Sequence, residues 1–126
     1  MGVKAETSLQ KRIQNSIIKR GGYVNKNWGN MTSKPGIGDL TCGYKGFYIE
    51  IEVKEDNNTP SLAQGIHCRK VWHAGNIAMI AWSVEEVTKL LEILDSCIKR
   101  KFSIEESREF TRSAMKTYLI DDGTRW

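Results

Sequence analysis

Residues 47–54, FYIEIEVK, alternate strictly between apolar side chains and more polar ones. A period of two is typical of a β-strand that buries one face against a core. Glu50, Glu52 and Lys54 then fall together on the other face of the strand, where they need water or a ligand to solvate them. The sequence therefore predicts a strand with one apolar face and one charged face.

The segments on either side of this strand carry helix and strand signals. Leu9, Ile13 and Ile17 recur every four residues and predict an amphipathic helix that ends at the Gly21-Gly22 pair. The other expected elements are strands over 23–28, 39–44 and 76–82, and helices over 61–74, from Ser83 onward, and from Ser103 towards Tyr118. The order helix, three strands, helix, strand, helix, with an extra C-terminal helix, predicts an α/β fold: a mixed sheet flanked by helices. We expect residues 1–126 to form one domain.

The length of the turn before residue 47 decides what lies opposite the charged face. If Lys45-Gly46 is a two-residue hairpin turn, Asp39 lies across from Glu52. A four-residue turn over 43–46 sets Asp39 opposite Glu50 instead, and a three-residue loop turns it to the other face unless a bulge corrects the register. The sequence leaves these alternatives open.

Two carboxylates that face each other across a sheet repel, and a divalent cation removes that conflict. A ligand set made only of oxygen atoms favours Mg²⁺ or Mn²⁺. Lys54 lies on the same predicted face, where its ammonium can contact a phosphate. A plainer interpretation is that Glu52 and Lys54 form a surface ion pair with little effect on stability.

Composition and charge narrow the class of protein. The longest apolar run, residues 77–82, is too short to span a membrane, and the first residues lack the apolar stretch of a secretion signal, so we expect a cytoplasmic protein. Cys42, Cys68 and Cys97 lack the spacing of a zinc site or a disulfide framework. Residues 1–34 carry seven basic side chains and one acidic one, whereas residues 35–60 carry two basic and five acidic ones. This asymmetry is typical of a protein that binds a polyanion beside a cation site.

The segment GIGDLTCGYKGFYIEIEVKEDNNTPSLAQ, residues 36–64, resembles the core of the PD-(D/E)XK nuclease superfamily, and most closely its small VRR-NUC members. Many of these are stand-alone proteins of phages and bacteria. The resemblance extends from Glu6 to Glu92 and rests on the order of a helical Glu, an Asp, a Glu-x-Lys and a helical Gln. One departure is Gly38, which stands where the family usually has a proline before the aspartate. The resemblance implies a restriction-endonuclease-like fold.

The resemblance also implies roles for individual residues. The implied metal ligands are Asp39, Glu52, the backbone carbonyl of Val53, and Glu6. The implied catalytic residues are Asp39, Glu52, Lys54 and Gln64, acting with Mg²⁺ or Mn²⁺ and no organic cofactor. Gln64 has a plainer alternative role as the capping-box residue of its helix, and Glu6 as a charge that complements a helix N-terminus. For Glu50 we expect a salt bridge with Lys45 or a role as a spare ligand.

Together these features predict a metal-dependent DNA endonuclease, selective for branched or junction DNA, that acts as a homodimer in the cytoplasm, which is that of the host if a phage encodes the protein. The candidate DNA contacts are Lys11, Arg12, Lys34, Arg69 and Lys70. The candidate dimer surface is the apolar side of the last helix, formed by Ile104, Phe110, Met115 and Tyr118. The aromatic residues that can either stack on bases or belong to the core are Tyr23, Trp28, Tyr48 and Trp72. The alternatives are a non-catalytic nucleic-acid-binding module on the same fold and a structural subunit whose acidic strand binds a protein.

Overall fold

The computed structural model describes residues 3–27, 38–56 and 58–115, with side chains from Thr7 onward. The helices are α1 (Val3–Lys19), α2 (Leu62–His73), α3 (Val84–Lys99) and α4 (Ile104–Ala114). The strands are β1 (Tyr23–Lys26), β2 (Leu40–Tyr44), β3 (Phe47–Val53) and β4 (Ile77–Ala81). The order of elements is the predicted one, and the boundaries differ from the predicted ones by a few residues at most within the described ranges. No helix in these ranges is long and apolar enough to cross a bilayer.

The four strands form one mixed sheet in the order β1-β2-β3-β4. β1, β2 and β3 form an antiparallel meander, and β4 pairs with β3 in parallel. A parallel pair needs a crossover connection, and α2 supplies it between β3 and β4. The mixed sheet flanked by helices is therefore confirmed.

The β2–β3 hairpin has the two-residue turn among the predicted alternatives. Lys45 and Gly46 both have positive φ angles, 49° and 93°, as a type I′ turn requires. Leu40 pairs with Ile51, and Thr41 pairs with Glu50. Continued by one residue, this register sets Asp39 at the level of Glu52, at the end of the ladder.

The two faces of the sheet pack against different helices. On the apolar face, Ile49 and Ile51 of β3 belong to a buried core shared with Ile13 of α1 and with Leu90 and Leu94 of α3. On the opposite face, α2 lies over the sheet and its Cys68 and Val71 pack with Ala78 and Ile80 of β4. The predicted charged face of β3 is on this second side, under α2.

A polar cluster fixes the hairpin turn to α3. The Tyr44 hydroxyl and the Lys45 ammonium both donate to Asp95 Oδ1, at 2.7 and 2.8 Å. Burial acts to raise the pKa of Asp95, but the hydrogen bonds from Lys45 and Tyr44 outweigh it and hold that pKa below its ordinary value. The charged turn is therefore tied to the helix layer and holds the start of β3 in place.

Arg108 connects α4 to the C-terminal end of α2. The Arg108 guanidinium donates from Nε to the Asn76 carbonyl at 3.2 Å and from Nη2 to the Trp72 carbonyl, and it lies 4.7 Å from the centre of the Trp72 ring. These carbonyls lie at and just beyond the C-terminus of α2, where a cation is favourable.

Replacing Arg108 should weaken the packing at the C-terminal end of α2 and leave the contacts between the strands unchanged. We expect Arg108→Ala to lower the free energy of unfolding by about 2 kcal/mol, because two charge-assisted hydrogen bonds and the ring contact are lost. Thermal melting followed by circular dichroism measures the change, with Arg12→Ala on the exposed side of α1 as the matched control. A melting temperature for Arg108→Ala equal to that of the control would contradict this role.

The predicted dimer surface on α4 needs one correction. Met115, which caps the C-terminus of α4, is 1% exposed and packs in the chain's own core. Ile104 and Phe110 are exposed, although the Phe110 ring also contacts Phe102, with 5.9 Å between ring centres. Tyr118 lies outside the described residues. The surface is therefore smaller than predicted.

Candidate active site

Glu52 occupies the centre of a buried polar group at the end of β3. It is 3% exposed, because α2 lies across it. Gln64 Nε2 donates a hydrogen bond of 2.6 Å to Glu52 Oε2, and Lys54 Nζ lies 3.7 Å from the same oxygen. The Glu52–Lys54 pair is thus not a surface ion pair, and three of the predicted site residues meet at one carboxylate oxygen.

Asp39 reaches the same end of β3 from the neighbouring strand. Its Oδ2 accepts a hydrogen bond of 2.8 Å from the backbone N–H of Val53. This bond fixes the Asp39 carboxylate beside the backbone that links Glu52 to Lys54. The carbonyl of Val53, also a predicted ligand, belongs to the same stretch of chain.

Close packing against β3 explains why the residue before Asp39 is a glycine. A Cβ atom at Gly38 would lie 3.2 Å from the Ile51 carbonyl oxygen, which is tighter than nine in ten real Cβ contacts. Asn27, the residue after β1, holds this segment, since its Nδ2 donates to the Gly38 carbonyl and to Thr41 Oγ1, both at 2.8 Å. The sequence reasoning did not identify Asn27; its place directly after β1 is the signal that could have found it.

Gln64 forms the predicted capping box, and its side-chain amide also contacts Glu52, while its catalytic role stays a prediction. Its Oε1 accepts from the Ser61 N–H at 2.7 Å, and its own N–H donates to Ser61 Oγ at 3.2 Å, which completes a capping box at the start of α2. The other end of the same amide, Nε2, binds Glu52. Helix capping therefore orients the amide towards the carboxylate.

The charged face of β3 is covered, and in this respect the expectation of a solvated face is wrong. Glu50 is 8% exposed and lies under α2. It accepts a hydrogen bond of 2.6 Å from the Tyr48 hydroxyl, and its other oxygen lies 2.6 Å from His67 Nε2. The expected salt bridge between Glu50 and Lys45 is also wrong, because Lys45 pairs with Asp95. Sequence reasoning missed His67, which lies one helical turn after Gln64 and so on the same side of α2.

The buried thiol of Cys68 reports the electrostatic character of this region. Burial, together with the negative charges of Glu52 and Glu50, raises its pKa to about 12, against a smaller opposite effect of Arg69. The thiol therefore stays protonated near neutral pH and is no nucleophile. The negative charges of Glu52 and Glu50 that act on this thiol also make the region favourable for a cation.

The donor set fits a hard divalent cation. Asp39 and Glu52 supply carboxylate oxygens and Val53 a carbonyl oxygen, and oxygen donors with room for water are what Mg²⁺ and Mn²⁺ prefer. Across the described part of the chain, no three His, Cys, Asp or Glu side chains form a metal-binding group. The side chains described here thus provide a partial ligand set, which water and a phosphate oxygen would have to complete.

The remaining predicted residues lie elsewhere. Lys11 and Arg12 are exposed on α1, in the helix layer on the other side of the sheet from α2. Arg69 is partly exposed and Lys70 exposed, both on α2. The side chain of Glu6 and the whole of Lys34 lie outside what the structure describes.

Comparison with known proteins identifies the fold. A solved structure described as a VRR_NUC domain has a TM-score of 0.59 and 27% sequence identity, over 69% of this chain and 94% of that one. Hjc, a Holliday junction resolvase from the archaeal hyperthermophile Archaeoglobus fulgidus, has a TM-score of 0.51 and 20% identity, over 61% of this chain and 67% of that one. No family model and no curated protein matches the sequence. The chain therefore has the restriction-endonuclease-like fold, and the resemblance to the VRR-NUC group of PD-(D/E)XK nucleases that its sequence suggested is confirmed.

Proposed function

We propose that this protein is a Mg²⁺- or Mn²⁺-dependent endonuclease that hydrolyses phosphodiester bonds in DNA. The observation that carries the proposal is the group at the end of β3, where Lys54 and Gln64 converge on Glu52 and Asp39 is fixed beside them. The similarity to a VRR_NUC domain and to a Holliday junction resolvase supports the same reaction class.

In this proposal Asp39, Glu52 and the Val53 carbonyl hold the cation, with Glu6 as a further candidate ligand. When bound, such an ion supplies Lewis-acid polarisation of the scissile phosphate and a more acidic water. Lys54 places its ammonium next to the phosphate and offsets the charge that develops on it in the transition state. Gln64 holds the Glu52 carboxylate in one orientation.

The proposed substrate is branched or junction DNA, in line with the printed description of Hjc as a junction resolvase. The proposed active form is a homodimer, because two such sites related by symmetry can cut two strands. Ile104 and Phe110 remain as exposed apolar residues on α4 that can contribute to a dimer surface. Lys11, Arg12, Lys34, Arg69 and Lys70 are the proposed DNA contacts. Light scattering at working concentration tests the dimer, and a monomer contradicts it.

Incubation of the purified protein with plasmid, branched and single-stranded DNA, each with Mg²⁺, Mn²⁺ or EDTA, tests the reaction. We expect cleavage with either metal, none in EDTA, and faster cleavage of the branched substrate. Cleavage that persists in EDTA contradicts the metal dependence. DNA binding that weakens with salt but gives no cleavage in any metal favours the alternative, a non-catalytic nucleic-acid-binding module.

A further inference from the structure

A groove of about 590 Å³ lies between α2 and β3, next to the candidate site and on the same face of the sheet. Its walls include apolar side chains of α2, and its polar lining comes from both elements. The residues on which the argument rests are Tyr48, Glu50, Ile66, His67 and Lys70. Of these residues, Lys70 is already a proposed DNA contact, and the other four have no part in the proposed reaction.

The floor of the groove carries an acidic group whose oxygens are already engaged. One Glu50 oxygen accepts from the Tyr48 hydroxyl, and the other lies 2.6 Å from His67 Nε2. The Glu50 carboxylate therefore has two hydrogen-bond partners and lies beneath α2. Both features weaken the repulsion between Glu50 and a phosphate near the groove.

The rim of the groove has the features of a nucleotide site. The Tyr48 side chain is 42% exposed and Ile66 39% exposed, so an aromatic ring and an apolar side chain are open to solvent on either side of the groove. Lys70 adds an exposed ammonium at the same rim. Sites for single-stranded nucleic acid combine an aromatic platform for a base with a cation for the backbone.

We propose that this groove binds an unpaired nucleotide of the DNA substrate, with its base on Tyr48 and its phosphate at Lys70. The proposal rests on the proposed nuclease function and gives its substrate class: DNA with a single-stranded segment close to the cleaved bond. Tyr48 lies four residues before Glu52 on β3, about 13 Å away along the strand. Phosphates in one strand of duplex DNA rise by about 3.4 Å per nucleotide, so one strand can reach both positions within about four nucleotides.

Fluorescence anisotropy in EDTA, where binding is separated from cleavage, tests the proposal. The probes are a labelled single-stranded oligonucleotide, a blunt duplex, and the same duplex with a single-stranded arm. We expect Tyr48→Ala to weaken binding of the single-stranded and armed DNA roughly 10-fold, the size of one lost base stack, and to leave the blunt duplex unchanged. Tyr48→Phe keeps the ring and loses only the hydroxyl group that contacts Glu50 and Thr41, so it should bind like the wild type.

Lys70→Ala provides a second measurement, with a substitution in α2 that leaves the strands of the sheet unchanged. This exposed lysine can be removed without disturbing the fold, and Lys89→Ala on the exposed side of α3 is the matched control. We expect Lys70→Ala to weaken binding of the armed DNA and to reduce the slope of log affinity against log salt by about one, whereas the control leaves both unchanged. If Tyr48→Ala fails to fold, Tyr48→Leu takes its place.

The outcomes separate this inference from the proposed nuclease function. If both the Tyr48 and the Lys70 variants bind armed DNA with wild-type affinity, the proposed nucleotide-binding role of the groove is wrong, even when the protein cleaves DNA. Equal losses on armed and blunt DNA also overturn it, because they indicate a general backbone contact. The protein can also bind armed DNA in a way that depends on Tyr48 and yet cleave nothing in Mg²⁺ or Mn²⁺. That result contradicts the proposed nuclease function and supports the groove as a binding site.

Discussion

Lys54→Ala is expected to lower the rate of DNA cleavage by about 10³-fold, the effect of removing one group that stabilises transition-state charge, while DNA binding stays nearly intact. The reason lies in the position of the ammonium, 3.7 Å from Glu52 Oε2 in a partly buried setting. In the proposed reaction, a positive charge held there stabilises the reacting phosphate. We expect most of the binding energy for DNA to come instead from exposed basic side chains that contact the DNA backbone.

Single-turnover cleavage in Mg²⁺ measures the rate, and anisotropy in EDTA measures the binding. Lys54 also faces the nearly buried Glu52, so its removal costs stability, and the assays should be run well below the melting temperature of the variant. Lys89→Ala, which removes a positive charge from the distant α3, should cleave at the wild-type rate. Unchanged cleavage by folded Lys54→Ala protein rules out the proposed role of this lysine.

Much of the framework of the site follows from local patterns. The alternation over residues 47–54 and the turn residues at 45–46 act within a few residues of each other, so β3 and its hairpin with β2 could be predicted. The capping residues Ser61 and Gln64 likewise mark the start of α2. Only the choice between turn lengths stayed open, and positive φ angles at Lys45 and Gly46 settle it in favour of the register that sets Asp39 at the level of Glu52.

The partners of the charged side chains could not be predicted, because they depend on how distant elements pack. Lys45 and Asp95 are 50 residues apart in sequence, and only the packing of α3 brings them together. The crossover of α2 over the charged face of β3 likewise turns an expected solvated surface into a buried one and gives Glu50 its partner His67. A period of two distinguishes the two faces of a strand, but it does not say which neighbour covers each face.

Gln64→Glu separates the two roles of this residue. A glutamate completes a capping box as well as a glutamine does, and α4 uses one, with Glu106 Oε1 accepting from the Ser103 N–H at 2.8 Å. If capping were the only role, the substitution would leave stability unchanged. Gln64 Nε2, however, lies 2.6 Å from Glu52 Oε2, and a carboxylate oxygen in that place repels Glu52 where a donor stood before.

We therefore expect Gln64→Glu to lower the free energy of unfolding by at least about 2 kcal/mol at neutral pH in EDTA, since a buried charge loses its donor and gains a like charge. Thermal melting measures the loss, and Glu106→Gln, the converse change in the capping box of α4, should melt close to the wild type. Mg²⁺ should raise the melting temperature of Gln64→Glu more than that of the wild type, because a cation bound by the folded state offsets the added charge. Wild-type melting of Gln64→Glu in EDTA would mean that the hydrogen bond to Glu52 contributes nothing and that Gln64 only caps its helix.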